Sequence, residues 1–473
     1  MSESSVQTVT LHYANALADR VGPAGLTPAD LEAQAGAVAR VHRDINERRT
    51  AGDLGFYELP HRTDGLEASQ AMARQVGESC ENLLVLGIGG SALGTLAVHR
   101  ALCPALHNLW PRRRRGGMRL FVCDNVDPET IAELLEWLDP NETAVNVISK
   151  SGGTAETLAQ FLRVYGWLRD ALGPDAARRR VVVTTDPDKG FLRRLARQEG
   201  LPALDVPPNV GGRFSVLTPV GLFPLACAGV DVEGLLAGAA HMESHVSRPD
   251  LWENPAYLFG LIHVLFYRRG RNVNVMMPYS DALRDVADWF RQLWAESLGK
   301  RYALDGGEVF VGPTPVKALG TTDQHSQVQL YMEGPPDKVI TFLEVAHPRR
   351  EVRCPPLFPE AEEAAYLGGK TLGELLGAEK RATEAALTEN GRPNLTLALD
   401  RVDAHQVGQV LFLLEAATVF AGGLLGINPL DQPGVELGKR LTFALMGRPG
   451  YGDLAGRVGE LSDPDPRWRC PRP

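Results

Sequence analysis

Val145-Asn146-Val147-Ile148-Ser149-Lys150-Ser151-Gly152-Gly153-Thr154-Ala155-Glu156-Thr157 runs from an apolar segment through hydroxyls and glycines into a helical pattern. It reads as strand, loop, helix. Ser149, Ser151 and Thr154 supply hydroxyls, and Gly152 and Gly153 let backbone N–H groups turn inward. A helix starting at or near Thr154 offers unsatisfied N–H groups to an anion. A phosphate ester suits such a pocket. By itself the stretch also reads as a plain N-capped turn with Glu156 in the first helical turn.

Other pieces carry chemistry of their own. Asn82-Leu83-Leu84-Val85-Leu86-Gly87-Ile88-Gly89-Gly90-Ser91 is a buried-strand run ending in glycines and a serine. Gly211-Gly212-Arg213 brings a guanidinium, a fixed fork for oxyanions, beside permissive backbone. Gln292 and Glu296 share a helix face at i,i+4. Beside apolar Leu293 and Trp294, Glu296 has the setting of a partly desolvated general base, or is an exposed helix-end glutamate. His325 follows Thr321-Thr322-Asp323-Gln324 at a helix start, where it either shuttles protons or caps. Gln432 precedes Lys439, which stands three residues beyond Glu436, the spacing of a surface ion pair.

The chain around these pieces has 473 residues, 44% hydrophobic and 23% charged, with 49 glycines and 33 prolines spread along it. Two or three folded domains are expected at one per ~100–200 residues. A formal charge of −9 argues against partners bound by neutralising a nucleic-acid backbone. Cys80, Cys103, Cys123, Cys227, Cys354 and Cys470 show no CxxC spacing and read as reduced thiols in a cytoplasmic protein. The N-terminus lacks the pattern of a secretory signal, and no run of about 18 apolar residues suggests a membrane span.

Helical periodicity covers 31–49, 64–77, 92–101, 128–138, 154–172, 220–228, 254–267, 283–298, 325–331, 370–387 and 407–425. Strand runs fall at 82–86, 119–123, 144–149, 180–184, 272–277, 309–312, 339–345 and 395–399. This alternation predicts an α/β fold of parallel sheets covered on both faces, with ligands gathered beyond the carboxyl ends of the strands. The small residues, charges and histidines of 230–250 read as a bridge between two doubly wound domains. Arg112–Arg115, without interleaved aromatics, reads as a solvated loop rather than a nucleic-acid patch. The residues beyond Gly450 read as a loose tail.

Six pieces in fixed order, GIGGSALG, SKSGGTAET, GGRFSVLTPVGL, QLWAESLGK, TTDQHSQVQ and DQPGVELGK, together resemble the glucose-6-phosphate isomerase family, also called phosphoglucose isomerase. The resemblance runs from about Leu84 to Arg440. It implies two doubly wound parallel-sheet domains of the SIS type: a helical extension over 1–60, a first domain over 61–230 with the phosphate loop, a linker over 231–253, a second domain over 254–426, and a C-terminal helical segment over 427–473 returning to the active site. It further implies that Ser149, Lys150, Ser151, Thr154 and Thr157 hold the phosphate and that Gly89, Gly90 and Ser91 lie against the sugar. Arg213 would steady an enediolate, Glu296 would act as base, Gln292 and Gln432 would be polar groups of the site, and His325 and Lys439 would serve ring opening. The expected reaction exchanges glucose 6-phosphate and fructose 6-phosphate with no cofactor and no metal. The expected assembly is a homodimer in which His325 comes from the partner subunit. Two alternatives stay open: an isomerase that also accepts mannose 6-phosphate, and a non-catalytic sugar-phosphate sensor, although no helix-turn-helix with a basic reading face is evident. Two positions depart from the family pattern: Gly153, where many relatives have a hydroxyl, and Leu298, where others often carry a polar residue.

Overall fold

The computed structural model of the protein describes residues 7–462 and residue 470. Its strands in chain order are β1 (Thr10–His12), β2 (Asn82–Leu86), β3 (Arg119–Cys123), β4 (Thr143–Ile148), β5 (Val181–Thr185), β6 (Ala203–Asp205), β7 (Val273–Pro278), β8 (Lys300–Tyr302), β9 (Glu308–Val311), β10 (Thr314–Lys317), β11 (Lys338–Val345) and β12 (Asn394–Leu399). Residues 1–429 form one compact unit and 430–473 a second.

In the first unit, one sheet has the all-parallel order β3-β2-β4-β5-β6. Every residue of β2, β4 and β5 is buried, as strands covered on both faces must be. Leu84, Leu86, Val145, Val147, Val181 and Val183, alternate residues of the three strands, pack with Phe161, Val164 and Leu168 of helix Ala155–Leu172. The strand order turns back on itself between β2 and β4. A doubly wound sheet opens its ligand crevice at such a switch point, beyond the strand carboxyl ends. The chain leaves β2 towards Gly89–Ser91 and β4 towards Ser149–Thr154, so both predicted loops stand at that point.

The second sheet has the order β1-β12-β11-β7-β10, parallel except for β1, which pairs antiparallel with β12 through Leu11 and Leu397. The N-terminal region is therefore more than a helical extension: it supplies an edge strand. Residues 309–312 do not join this sheet as expected. Asp305 accepts a hydrogen bond from Gly307 N (2.9 Å), Gly306 takes φ +87°, and the resulting turn folds β9 back on β8 as a separate antiparallel ribbon. The sheet edge passes to β10, where Pro315 can sit because an edge strand need not donate on both sides.

The stretch read as a linker over 231–253 contains a core helix, Val232–Val246, capped by Asp231 and lying against helix Ala404–Leu425. Its small residues let two backbones approach. A Cβ on Gly238 would stand 1.8 Å from the His405 carbonyl oxygen, and one on Gly408 would stand 2.0 Å from the Leu235 carbonyl oxygen. Ala404–Leu425 is long and apolar enough to cross a membrane by length and composition, and it lies buried inside this fold.

Arg112–Arg115 forms a short helix rather than a loop, and Arg112, Arg113 and Arg114 are exposed, as the solvated reading expected. Arg115 is buried, pairing with Glu81 at 2.7 Å, and Arg112 donates to the carbonyls of Cys80 and Gly77. Arg112 and Arg115 thus tie down the turn between helix Asp64–Gly77 and β2.

The C-terminal unit holds helices Glu436–Leu445 and Gly452–Ser462, the second falling where a loose tail was expected. Phe443 meets Tyr451 edge-on at 5.4 Å, and Arg448 lies over Phe443 at 4.3 Å.

Candidate active site

The loop after β4 gathers three hydroxyls in front of a helix N-terminus. Ser149 N donates to Thr184 O (3.1 Å), and Thr185 Oγ1 donates to Ser149 O (2.7 Å), so β5 fixes the point where the chain turns. Gly152 takes φ +65°, and a Cβ there would meet the backbone of Phe191 and Leu192 at 3.0 Å. Ser149 Oγ lies 2.9 Å from Thr154 Oγ1 and 3.4 Å from Ser151 Oγ. Thr154 stands at the N-cap of helix Ala155–Leu172, yet its side chain makes no capping bond. The hydroxyls therefore converge on one another, and the first-turn N–H groups keep no side-chain acceptor, which leaves the anion reading stronger than the capped turn. Thr157 sits within the helix, buried, with no partner for its hydroxyl.

Lys150 takes a different course from its neighbours. Its Nζ donates to the carbonyls of Pro208 and Val210, both at 2.7 Å. Burial pushes its pKa below the usual lysine value, partly offset by Asp186. The lysine thus ties this loop to the segment that leads into Gly211-Gly212-Arg213.

That segment also touches the first glycine loop. A Cβ on Gly90 would stand 2.3 Å from Gly212 C and O, so only glycine permits the approach. Gly89 takes φ +58°, and a Cβ there would meet Gln292 Nε2 at 3.0 Å. Ser91 closes the same short turn, Gly89–Ser91.

Arg213 is held in three directions. Its Nε donates to Ser297 Oγ (2.6 Å), one terminal nitrogen donates to the Pro429 carbonyl, and the other lies 3.2 Å from Glu296 Oε1. Its side chain is 2% exposed against 27% for Glu296, so the carboxylate faces the opening and the guanidinium backs it. Gln292 Nε2 donates to Glu296 Oε2 at 3.0 Å, as the i,i+4 spacing predicts. Leu293 and Trp294, expected to desolvate Glu296, are instead buried in the core on another face of helix Arg284–Leu298. The immediate surroundings of the carboxylate are a cation and an amide. Ser297, which the sequence reading passed over, is the residue that sets the guanidinium plane.

His325 ends a short 3-10 turn, Thr322–His325, and is exposed; the expected helix begins only at Val328. Gln432 and Lys439 belong to the C-terminal unit, where Lys439 Nζ lies 2.7 Å from Glu436 Oε1. A cleft of about 1560 Å³ lined by Tyr279, Glu344, Arg349 and Lys380 includes none of these residues.

Two parallel α/β sheets, three hydroxyls gathered at a switch point and a buried arginine backing a glutamate make an α/β protein with one candidate anion site and one candidate acid–base site. The model of the family described as phosphoglucose isomerase matches residues 66–453. The chain is 50% identical to a glucose-6-phosphate isomerase of Carboxydothermus hydrogenoformans over 90% of this chain and 91% of that one. It is also 50% identical to one of Rubrobacter xylanophilus, over 89% of this chain and 97% of the relative. Among solved structures, a hypothetical protein of Thermus thermophilus superposes with a TM-score of 0.82 at 40% identity, covering 93% of this chain and 100% of that one. A glucose-6-phosphate isomerase of Chlamydia trachomatis shares the fold with a TM-score of 0.79 at 22% identity, over 97% of this chain and 93% of that one. The chain belongs to the phosphoglucose isomerase family.

Proposed function

We propose that this enzyme interconverts D-glucose 6-phosphate and D-fructose 6-phosphate through a cis-enediolate. The observation that carries the reading is the Arg213–Glu296 pair at 3.2 Å, beside glycine loops that adjoin a hydroxyl cradle. Moving a carbonyl between C1 and C2 requires one proton taken from C2 and returned to C1. A single carboxylate reaching both carbons suffices, and Glu296 has the exposure to do it. As the C2 proton leaves, negative charge grows on the oxygens at C1 and C2. A guanidinium already fixed by Ser297 and Pro429 stabilises that charge without reorganising. Gln292 keeps the second carboxylate oxygen oriented.

Ser149, Ser151, Thr154 and Thr157, with the first-turn N–H groups behind them, anchor the phosphate away from the reacting carbons, and Gly89, Gly90 and Ser91 lie along the sugar. Lys150 serves this anchor indirectly, through its bonds to Pro208 and Val210. Gln432 contributes a polar group, and His325 and Lys439 open the ring; these roles rest on the family likeness. So do the division into SIS-type domains over 61–230 and 254–426, a homodimer to which each subunit lends His325, and a cytoplasmic setting.

The deciding experiment is a coupled assay of the purified chain with fructose 6-phosphate, reading glucose 6-phosphate formation, with mannose 6-phosphate in parallel. Conversion of fructose 6-phosphate is expected. No conversion, with phosphate esters still bound, would overturn the reading in favour of a sensor.

A further inference from the structure

Helix Leu93–Leu102 starts just after the Gly89–Ser91 loop and ends in a cluster the isomerase chemistry does not use. His99, Cys103 and His107 follow one another at intervals of four residues, and Pro104 O accepts from His107 N (2.9 Å), turning the chain so that the second imidazole comes back over the first. The two rings meet edge-on, 5.0 Å between centroids at 88°. One donor atom from each of the three side chains lies within 4.8 Å of the other two.

The donors are poised as ligands. His107 is 2% exposed and Cys103 5%. His107 Nε2 lies 2.9 Å from Met118 O, which can only accept, so this nitrogen carries the proton and Nδ1 presents its lone pair. His107 Nδ1 and His99 Nε2 are both buried with no hydrogen-bond partner. Buried nitrogens are rarely left so without a reason. Burial also keeps the imidazoles uncharged, pushing His99 down to about 4 and lowering His107.

We propose that His99, Cys103 and His107 form a binding site for a soft closed-shell cation, Zn²⁺ or Cu⁺. Two imidazoles and a thiolate are the donor set such ions take, and hard oxygen-seeking cations do not. Three donors sharing one zinc ion stand about 3.3–3.8 Å apart, so side chains that now lie within 4.8 Å of one another close by up to about 1.5 Å on binding. On binding, the Cys103 thiol gives its proton to solvent and its sulfur bonds the metal. Burial pushes the Cys103 thiol up to about 12, partly offset by Arg349, so the thiolate forms only as the metal takes it; Arg100 and Arg115 beside the imidazoles add positive potential, which favours, of the two ions, the one that leaves the complex neutral, Cu⁺. The ion would pin the far end of the helix that follows the sugar loop. That helix packs on Arg284–Leu298, which carries Gln292 and Glu296, and Arg100 pairs with Asp285 at 3.5 Å.

The test uses the full chain, stripped with a chelator and equilibrated either with Zn²⁺ alone or with Cu⁺ alone under anaerobic reduction. Metal is counted by mass spectrometry after gel filtration, and Tm is read with and without the ion. About one equivalent per chain of one of the ions is expected, with a higher Tm, and Cys103→Ser and His107→Ala should lose both effects. Cys470→Ala, which removes an exposed thiol, should keep them. Wild type holding no more of either ion than Cys103→Ser overturns the proposal. If His107→Ala does not fold, Cys103→Ser, nearly isosteric, decides alone.

Discussion

Lys150, in the middle of the Ser149–Thr154 loop, donates to the carbonyls of Pro208 and Val210 at 2.7 Å, two bonds that fasten that loop to the segment entering Arg213. A lysine that bound phosphate directly would affect substrate affinity, whereas one that aligns two loops affects the reacting end as well. Lys150→Met should therefore lower kcat as well as raise KM. Hydrogen bonds from a charged donor contribute about 1.5–3 kcal/mol each, and if one bond's worth of alignment is lost at the reacting end, a fall of about 10- to 100-fold in kcat/KM is expected. Steady-state kinetics in both directions check this, and a change confined to KM would return the lysine to the phosphate.

Glu296→Gln keeps the contact geometry at Gln292 but removes the carboxylate proposed as the base. Turnover should fall by about 10²- to 10⁴-fold, the usual worth of general base catalysis, while a phosphate-bearing inhibitor still binds. The variant also takes a carboxylate away from 3.2 Å of buried Arg213, so a lower Tm should accompany the loss. Activity near wild type would remove Glu296 from the reaction.

Two glycines in the loops should behave oppositely. A Cβ on Gly90 falls 2.3 Å from Gly212 backbone atoms, so Gly90→Ala must drive the two loops apart and cost both stability and activity. A Cβ on Gly153 meets nothing within 4 Å, so Gly153→Ser should fold with stability within about 0.5 kcal/mol of wild type. It adds a hydroxyl to the loop, and its effect should appear in KM. Thermal melts beside kinetics separate the two outcomes.

Thr154 allows the cradle to be tested without confusion from the helix. An N-cap threonine replaced by alanine ordinarily costs about 1 kcal/mol, but Thr154 makes no capping bond. Thr154→Ala, alone or with Ser151→Ala, should leave Tm nearly unchanged and weaken substrate binding strongly. Calorimetric titration with a substrate analogue reads the affinity, and unchanged binding would reduce the loop to a turn.

How much of this was legible in the sequence follows from the range of the interactions concerned. The buried runs 82–86 and 144–148 declare themselves by composition, and the i,i+4 pair Gln292–Glu296 by helix geometry, because both depend on neighbours in the chain. The edge strand Thr10–His12 is only three residues long and exists through its pairing with residues 396–398, which no local pattern announces. The small residues of 232–246 look like a linker until helix Ala404–Leu425 is laid against them. Lys150 has the residue type of a phosphate ligand, and only the fold reveals carbonyls 58 and 60 positions away taking its bonds. The His99, Cys103 and His107 donors match no familiar zinc spacing and meet through the turn at Pro104.

Glu415, in the middle of the core helix Ala404–Leu425, is wholly buried, and neither carboxyl oxygen has a hydrogen-bond partner. Burial pushes its pKa well above the usual carboxylate value. In the unfolded chain a glutamate titrates near ~4.3, so above that pH the native state holds a proton the unfolded state has lost. Stability from this group is then full below the unfolded value and falls as pH rises towards the folded one. Glu415→Gln, nearly isosteric and uncharged at every pH, should remove that slope. Its Tm should exceed that of wild type at about pH 8 and approach it at about pH 4.5, where the unfolded carboxyl is regaining its proton. Melts across that range read the difference directly, and a gap that does not widen with pH would mean that Glu415 is ionised in the folded protein.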